Sequence, residues 1–200
     1  MKNTPNFNSF LKNKLALIIY YITRPRMLKL KINNKILRVS NTAEVTHWDK
    51  LELGNNVFIW HFSILDSFNQ IKIGNDCQIG TRVGIFTHSS HHSIRYYNKK
   101  YYDFYFDTHK GRVRGPVEIG ACSFVGANVI IMPNTKIGKG CIVTAFSYVQ
   151  GDFDDFSIIA GNPAKRIGDI RLVDERFFKK HPDLKEDYLK YFGISSFNLK

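Results

Sequence analysis

Two hundred residues suit one domain with a sizeable core and leave little room for a second. Apolar residues make up 44% of the chain and charged residues 23%, a globular balance that excludes wholesale disorder. The net charge is +12, but nine Lys and Arg residues precede the first acidic residue, Glu44, and the rest of the chain holds 20 basic against 17 acidic side chains. The basicity therefore belongs to the N-terminal segment and not to the whole surface, and with no nucleic-acid motif present no nucleic-acid partner is expected.

The three cysteines, Cys77, Cys122 and Cys141, are odd in number and far apart. They form no CxxC pair and imply no disulfide framework, which fits a reducing cytoplasm.

Residues 1–30 read as a basic amphipathic helical arm. Phe7, Phe10, Leu11, Leu15, Ile18, Ile19 and Ile22 fall at helical spacing, and Pro25 ends the pattern. The apolar run Leu15 to Ile22 is far shorter than the roughly 20 residues a membrane span needs. The TRPRMLK that follows it has no small-residue cleavage site of a secretory signal. Two readings stand: a terminal helix packed on its own domain or a neighbouring subunit, or an arm resting on an anionic membrane at the inner face.

Residues 31–168 are dominated by a six-residue step. Leu53, Ile59 and Leu65 keep it, as do Ile73, Ile79 and Ile85, and then Ile119, Val125, Ile131, Ile137, Val143 and Val149 without a break. Four residues after nearly every one stands a small or β-branched residue: Val57, Ser63, Cys77, Val83, Ser123, Val129, Thr135, Cys141 and Ser147. A helix drifts off a six-residue face and an ordinary strand alternates every two residues. The step predicts an all-β solenoid, a parallel β-helix of short strands and corners, with about 18 residues to each three-sided coil. The aliphatic residue points inward, the small residue sits inside near the corner, and the glycines that often follow (Gly54, Gly74, Gly80, Gly120, Gly126, Gly138) are expected to permit the turn.

The register breaks twice. Leu65 to Ile73 is eight residues, so two extra residues bulge near LDSFNQ. Ile85 to Ile119 is 34 residues, so about 28 residues are looped out, and function concentrates in such excursions. The inserted loop, 93–115, opens just after three clustered histidines, His88, His91 and His92. It mingles Tyr96, Tyr97, Tyr101, Tyr102, Phe104, Tyr105 and Phe106 with Arg95, Lys99, Lys100, Lys110, Arg112 and Arg114. Aromatic faces against sugar C–H bonds with cations toward phosphate suit a sugar diphosphate or an anionic glycan; equally, the aromatics can pack the loop on an adjacent subunit. Residues 169–200 read as a C-terminal helical tail, one or two short helices broken by Pro182, folded along the solenoid.

These motifs resemble the hexapeptide-repeat acyltransferases, and within them the sugar O-acetyltransferase branch that includes galactoside and maltose acetyltransferases and enzymes modifying lipopolysaccharide and capsule. The likeness runs from about Leu53 to Ile170. It is carried by the repeat, by SILDS (Ser63 to Ser67), by THSSHH, and by IIAGNPAKRIGDI (Ile158 to Ile170), which looks like the segment closing the last coil.

The resemblance implies left-handed coils, a homotrimer with sites between subunits, and acetyl-CoA as co-substrate with a sugar or glycan acceptor. It also implies His88 as the catalytic base; His91 or His92 could occupy the same space if the loop folds back. Asp66 would face the acceptor or orient His88, or else cap its own turn. His61 and Tyr96 join His91 and Asp66 as candidate acceptor-binding residues. Ala127, Ala145 and Ser147 would line the pantetheine arm, and Lys165 and Arg166 would meet coenzyme phosphates or form a solvated basic pair.

No metal is expected. His88 and His92 are four apart but lack HExxH. No two histidines are five apart, the spacing of two zinc ligands in the γ-class carbonic anhydrases, which the resemblance groups with this fold. The reaction implied is acetyl transfer to a sugar hydroxyl in lipopolysaccharide, capsule or related glycan biosynthesis, by direct attack. The rivals are N-acetylation of a nucleotide-linked amino sugar and a non-catalytic hexapeptide scaffold.

Overall fold

The computed structural model describes residues 7–32, 34–103 and 110–197. A helix, α1 (Phe7–Thr23), leads to β1 (Met27–Ile32), which pairs antiparallel with β2 (Lys35–Ser40). The segment before the solenoid is therefore not helical throughout: residues 27–32 add a strand across the boundary expected at residue 30. The side chains of Phe7, Phe10 and Leu11 lie outside the described residues; Leu15, Ile18, Ile19 and Ile22 are all exposed.

From β2 the chain winds into stacked three-sided coils. The first is β2, β3 (Glu44–Thr46) and β4 (Leu51–Leu53); the second is β5 (Val57–Ile59), β6 (Ile64–Asp66) and β7 (Ile71–Ile73). In the third, β8 (Gln78–Ile79) and β9 (Gly84–Phe86) are separated from β12 (Val117–Ile119) by the insertion, which contains β10 (His88–Ser89) and β11 (Val113–Arg114). The fourth is β13 (Phe124–Val125) and β14 (Ile130–Ile137), which bends over two faces. The fifth is β15 (Ile142–Val143) and β16 (Tyr148–Phe153). Then β17 (Ser157–Gly161) closes the first face and β18 (Ala164–Asp169) returns antiparallel along it.

Between successive coils the pairing is parallel and in register, which sorts the six-residue series into three columns. Val39, Ile59, Ile79, Val125, Val143 and Ile159 stack on the first face. Val45, Leu65, Ile85, Ile131 and Val149 stack on the second. Leu53, Ile73, Ile119, Ile137 and Phe153 stack on the third. Nearly all are buried, and each fully buried aliphatic side chain contributes about 1.5–3 kcal/mol. The small-residue column is buried too, from Val57 to Ser147. Its hydroxyls are satisfied inside: Ser63 Oγ donates to the Gly80 carbonyl at 2.8 Å and Ser123 Oγ to the Gly138 carbonyl at 3.0 Å.

The corners correct one expectation. The glycines after the core aliphatics do not supply the left-handed residue. That conformation falls on Asn56, Phe62, Asp76, Arg82, Cys122, Asn128, Phe146 and Phe156, with φ between 54° and 62°. The glycines instead permit close stacking: a Cβ on Gly126 would lie 2.6 Å from the Ala145 nitrogen, and one on Gly120 2.4 Å from the Lys139 nitrogen. Side chains at positive φ are strained, and backbone bonds across coils offset this, such as Phe146 N–H to the Ala127 carbonyl at 3.0 Å.

The insertion is more ordered than a bare loop. β10 pairs antiparallel with β11, and between them run α2 (His91–Tyr97) and a 3₁₀ turn, Asn98–Asp103. Phe104, Tyr105 and Phe106 lie outside the described residues. The tail forms α3 (Arg171–Phe178) and α4 (Lys185–Phe192), broken at Pro182. It packs along the corner between the third and first faces: Tyr191 Oη donates to Asp76 Oδ2 at 2.6 Å, and the Phe156 and Phe192 rings meet edge to face.

Candidate active site

The corner between the second and third faces is enlarged in two consecutive coils. Val45 to Leu53 takes eight residues, as Leu65 to Ile73 does. The register Thr46↔Asp66 stacks the two enlargements. Buried hydroxyls tie them together. Ser67 Oγ donates to the carbonyls of Thr46 and His47. Thr87 Oγ1 donates to the Asp66 carbonyl at 2.7 Å and accepts from the Asn69 N–H at 2.9 Å. The insertion leaves from this braced corner, and the Gly115 N–H returns to the Thr87 carbonyl at 3.0 Å.

His88 is the first residue beyond the brace. Its Nδ1 lies 2.7 Å from Asp66 Oδ2, both side chains being mostly buried. Asp66 Oδ1 accepts from Thr46 Oγ1 at 3.0 Å, so the carboxylate is held from two sides. A carboxylate facing Nδ1 favours the tautomer with its proton there and its lone pair on Nε2. Burial pushes the His88 pKa below its ordinary value of 6.5. Asp66 opposes that shift, while Arg112, Arg114 and His47 reinforce it. A neutral imidazole with a fixed tautomer is what a general base near neutral pH requires.

The other candidates fall into groups. His91 is exposed, with Nδ1 2.8 Å from Ser89 Oγ, and its ring is 4.0 Å from that of His92, which stacks on Tyr96 at 5.9 Å. These residues stand on α2, outside the His88–Asp66 pair. His61 is on the preceding corner, where Nδ1 lies 2.6 Å from Ser40 Oγ. Ala127 and Ala145 stack on that same corner two and three coils further on, across the second face from His88. Ser147 is buried: its hydroxyl donates to the Thr144 carbonyl at 2.8 Å and accepts from the Gly161 N–H at 3.2 Å, so its side chain faces the coil interior. Lys165 is exposed, and Arg166 pairs with Asp169 at 3.1 Å. One chain thus brings Asp66 to His88 but keeps the Ala127–Ala145 corner apart from them.

Sequence reasoning missed Phe68, His47 and Lys50. The Phe68 ring lies 5.1 Å from that of His88 and 5.2 Å from that of His47, with Lys50 Nζ 5.1 Å from its centroid. The available signal was the second eight-residue step, Val45 to Leu53, offset by one coil from LDSFNQ. A groove on the third face, lined by Lys35, Glu52, Lys72, Glu118 and Lys136, contains none of the candidate residues. Among the described residues no three His, Cys, Asp or Glu side chains are gathered as a metal site needs. Burial raises the thiols of Cys77 and Cys141 to about 11, and that of Cys122 is raised as well, so none of the three is a ready thiolate.

The bacterial transferase hexapeptide family, in its six-repeat form, matches residues 116–151. Those residues carry the hexapeptide repeat of that family. The coils share the left-handed β-helix of the solved structures the chain resembles. This hexapeptide-repeat chain is 31% identical over 113 residues to WbbJ of Escherichia coli K12, named for lipopolysaccharide O-acetylation; the match covers 56% of the chain and 57% of WbbJ. A hexapeptide-repeat acetyltransferase from Vibrio cholerae solved with acetyl-CoA superposes with a TM-score of 0.55 at 21% identity, over 64% of each chain. AntD, an N-acyltransferase from Bacillus cereus solved with dTDP and 3-hydroxybutyryl-CoA, gives 0.54 at 20% identity, over 78% of this chain and 88% of AntD. The chain spans about half the length of several curated relatives it matches.

Proposed function

We propose that this chain is an acetyl-CoA-dependent O-acetyltransferase acting on a sugar hydroxyl in lipopolysaccharide, capsule or related glycan biosynthesis. The observation that carries the reading is the His88–Asp66 pair, 2.7 Å apart on a braced corner of a hexapeptide solenoid. His88 Nε2 takes the proton of the acceptor hydroxyl as its oxygen attacks the thioester carbonyl. The tetrahedral intermediate collapses, the C–S bond breaks, and the imidazolium returns the proton to the departing thiolate. General-base assistance of this kind contributes about 10²–10⁴-fold. Asp66 holds the ring and steadies the imidazolium; Thr46 holds Asp66. The raised cysteine pKa values favour direct transfer over an acyl-enzyme.

Acetyl-CoA lies along the Ala127–Ala145 corner, with Lys165 and Arg166 toward its phosphates. Because that corner is on the far edge of the second face, the coenzyme corner of one subunit meets His88 of another in a homotrimer. The α1 arm rests on an anionic membrane at its cytoplasmic face. Its exposed Leu15, Ile18, Ile19 and Ile22 follow Lys12 and Lys14 and precede Arg24 and Arg26, and no described helix is long and apolar enough to cross a bilayer. Deleting residues through Arg26 releases the protein from anionic vesicles if this holds; an intact chain that does not sediment with them ends the idea.

The test is acetyl-CoA turnover over a panel of sugars and amino sugars, with the position of the new acetyl group mapped. Ester formation is expected. Amide formation alone assigns the chain to N-acylation, and a chain that neither binds coenzyme A nor transfers acetyl is a scaffold.

A further inference from the structure

The two ends of the solenoid are finished differently. At the C-terminal end β18 and the tail helices fold back over the coils. At the N-terminal end only the first face is extended, by β1; among the described residues the second and third faces stop at β3 and β4. The register sets Leu28, Leu30 and Ile32 beside Val39, Leu37 and Lys35. Leu30 packs on the core, but Leu28 and Ile32 are exposed. An open hollow of about 380 Å³ lies at this end, lined by Ile32, Leu37, Trp48, Leu51, Leu53 and Lys35. Trp48 is 54% exposed.

The same end is basic. From Arg24 to Glu52 the chain holds seven Lys and Arg residues against Glu44, Asp49 and Glu52, and Arg24, Arg26, Lys29 and Lys31 are all exposed. The apolar arm starts here too. The Arg26 N–H donates to Asn41 Oδ1 at 2.7 Å and the Asn41 N–H to the Arg26 carbonyl at 3.0 Å, which roots α1 on the first coil.

The candidate active site opens toward this end. Thr46, Asp66 and Phe86 stack through the first three coils, and His88 follows Phe86 by two residues. Strands stack about 4.8 Å apart, so His88 stands roughly 10 Å in from the first coil. The enlarged corner of that coil, His47 to Lys50, is exposed throughout. Its Trp48 belongs to the apolar hollow, while the ring of His47 meets Phe68, which meets His88.

An exposed apolar surface rimmed by charge marks an interaction site. A second copy placed end to end would set these cations against one another. An anionic bilayer supplies the opposite charge along with an apolar interior, and indole rings favour its interface. We propose that the protein stands on its N-terminal end on an anionic bilayer, and that its acceptor is a sugar carried on a membrane lipid. The lipid phosphate lies level with the cations of β1, and the sugar rises through the enlarged corner to His88. The proposal rests on the acetyl-transfer and membrane readings above and adds the orientation and the carrier of the substrate.

The chain has two tryptophans, Trp48 and Trp60, which serve as native probes. Trp60→Phe leaves Trp48 as the only indole, and Trp48→Phe leaves Trp60, one coil further from the end. Each variant is mixed with phosphatidylglycerol-rich vesicles whose acyl chains carry bromine. Trp48 is quenched several-fold more than Trp60. Reversing two charges, in Lys29→Glu with Lys31→Glu, weakens vesicle binding by about 10- to 100-fold. Melting temperatures check that the variants fold. Equal quenching, stronger quenching of Trp60, or no vesicle binding overturns the orientation.

The sugar acetylated best in solution is then compared with its polyprenyl phosphate ester in the same vesicles. The vesicle-borne form has a kcat/KM about 10-fold or more higher, through its raised effective concentration. The charge-reversed variant loses that preference while acetylating the free sugar at the wild-type rate. A preference for the free sugar, or one for the ester that survives charge reversal, overturns the lipid-linked acceptor. Quenching of Trp48 without acetylation of any sugar keeps the orientation, and sinks the acetyl-transfer reading and the acceptor with it.

Discussion

Between Ile119 and Ile159 the coils repeat almost without interruption, and the corner that carries His88 is built from the same unit with residues added. In the regular part the in-turned side chains stack on their counterparts 16 or 18 residues away. At the enlarged corner, two extra residues in each of two coils give Thr46, His47, Asp66 and Phe68 room to converge, and buried Ser67 and Thr87 take over the bracing. Regular repeats make a stable column; chemistry collects where the count is broken, because only there are side chains released from stacking.

That contrast can be broken from either side. Ile131→Ala, in the middle of the second-face column, leaves a cavity that neighbouring coils cannot close and should cost about 2–5 kcal/mol of unfolding free energy. Turnover per folded molecule should be unchanged, since Ile131 touches none of the candidate residues' chemistry. Denaturant unfolding with parallel kinetics checks both halves. Gly126→Ala is a smaller insult to the same region. Its methyl would meet the Ala145 nitrogen at 2.6 Å, so a loss of about 1–3 kcal/mol is expected in thermal unfolding. A neutral result at Gly126 would mean the corners are not held by close stacking.

At the enlarged corner the expected effects are electrostatic. The base works when neutral, so kcat/KM should rise with pH and level off, with a midpoint below 6.5 because His88 is shifted down. Asp66 favours the charged imidazole, so Asp66→Asn moves the midpoint lower still. Arg114 disfavours it, so Arg114→Gln moves the midpoint up, each by up to about one unit. Shifts in the same direction from the two changes would show that another group titrates in the profile.

The columns were legible in the sequence because burial inside a coil imposes a strict period, and a period survives reading without coordinates. The 46 residues from Ile85 to Ile131, against 18 from Ile131 to Val149, match the excursion counted from the repeat. The Asp66–His88 contact was legible as an option, since both stand at the same end of stacked strands. What was not legible depends on side-chain direction. Ser147 fits the family's coenzyme slot by position, yet it belongs to the inward column. His61 shares a coil with Asp66 but stands one corner earlier. The glycines look like turn formers, yet the turn falls on Asn, Phe, Cys and Arg, because the tightest steric demand is between coils and not within the corner. Phe68 gives no signal of its own in the sequence, because its partners come from residues 47–50 and 112–114 and no local pattern joins those stretches.

His88 is the proposed base, and neither the fold nor the coenzyme site depends on its imidazole. The most direct measurement is His88→Ala compared with the wild type for kcat, coenzyme A affinity and melting temperature in one preparation. The expected result is a fall in kcat of about two to four orders of magnitude, with coenzyme affinity and melting temperature retained. Activity that survives in His88→Ala and disappears in His91→Ala would contradict the account.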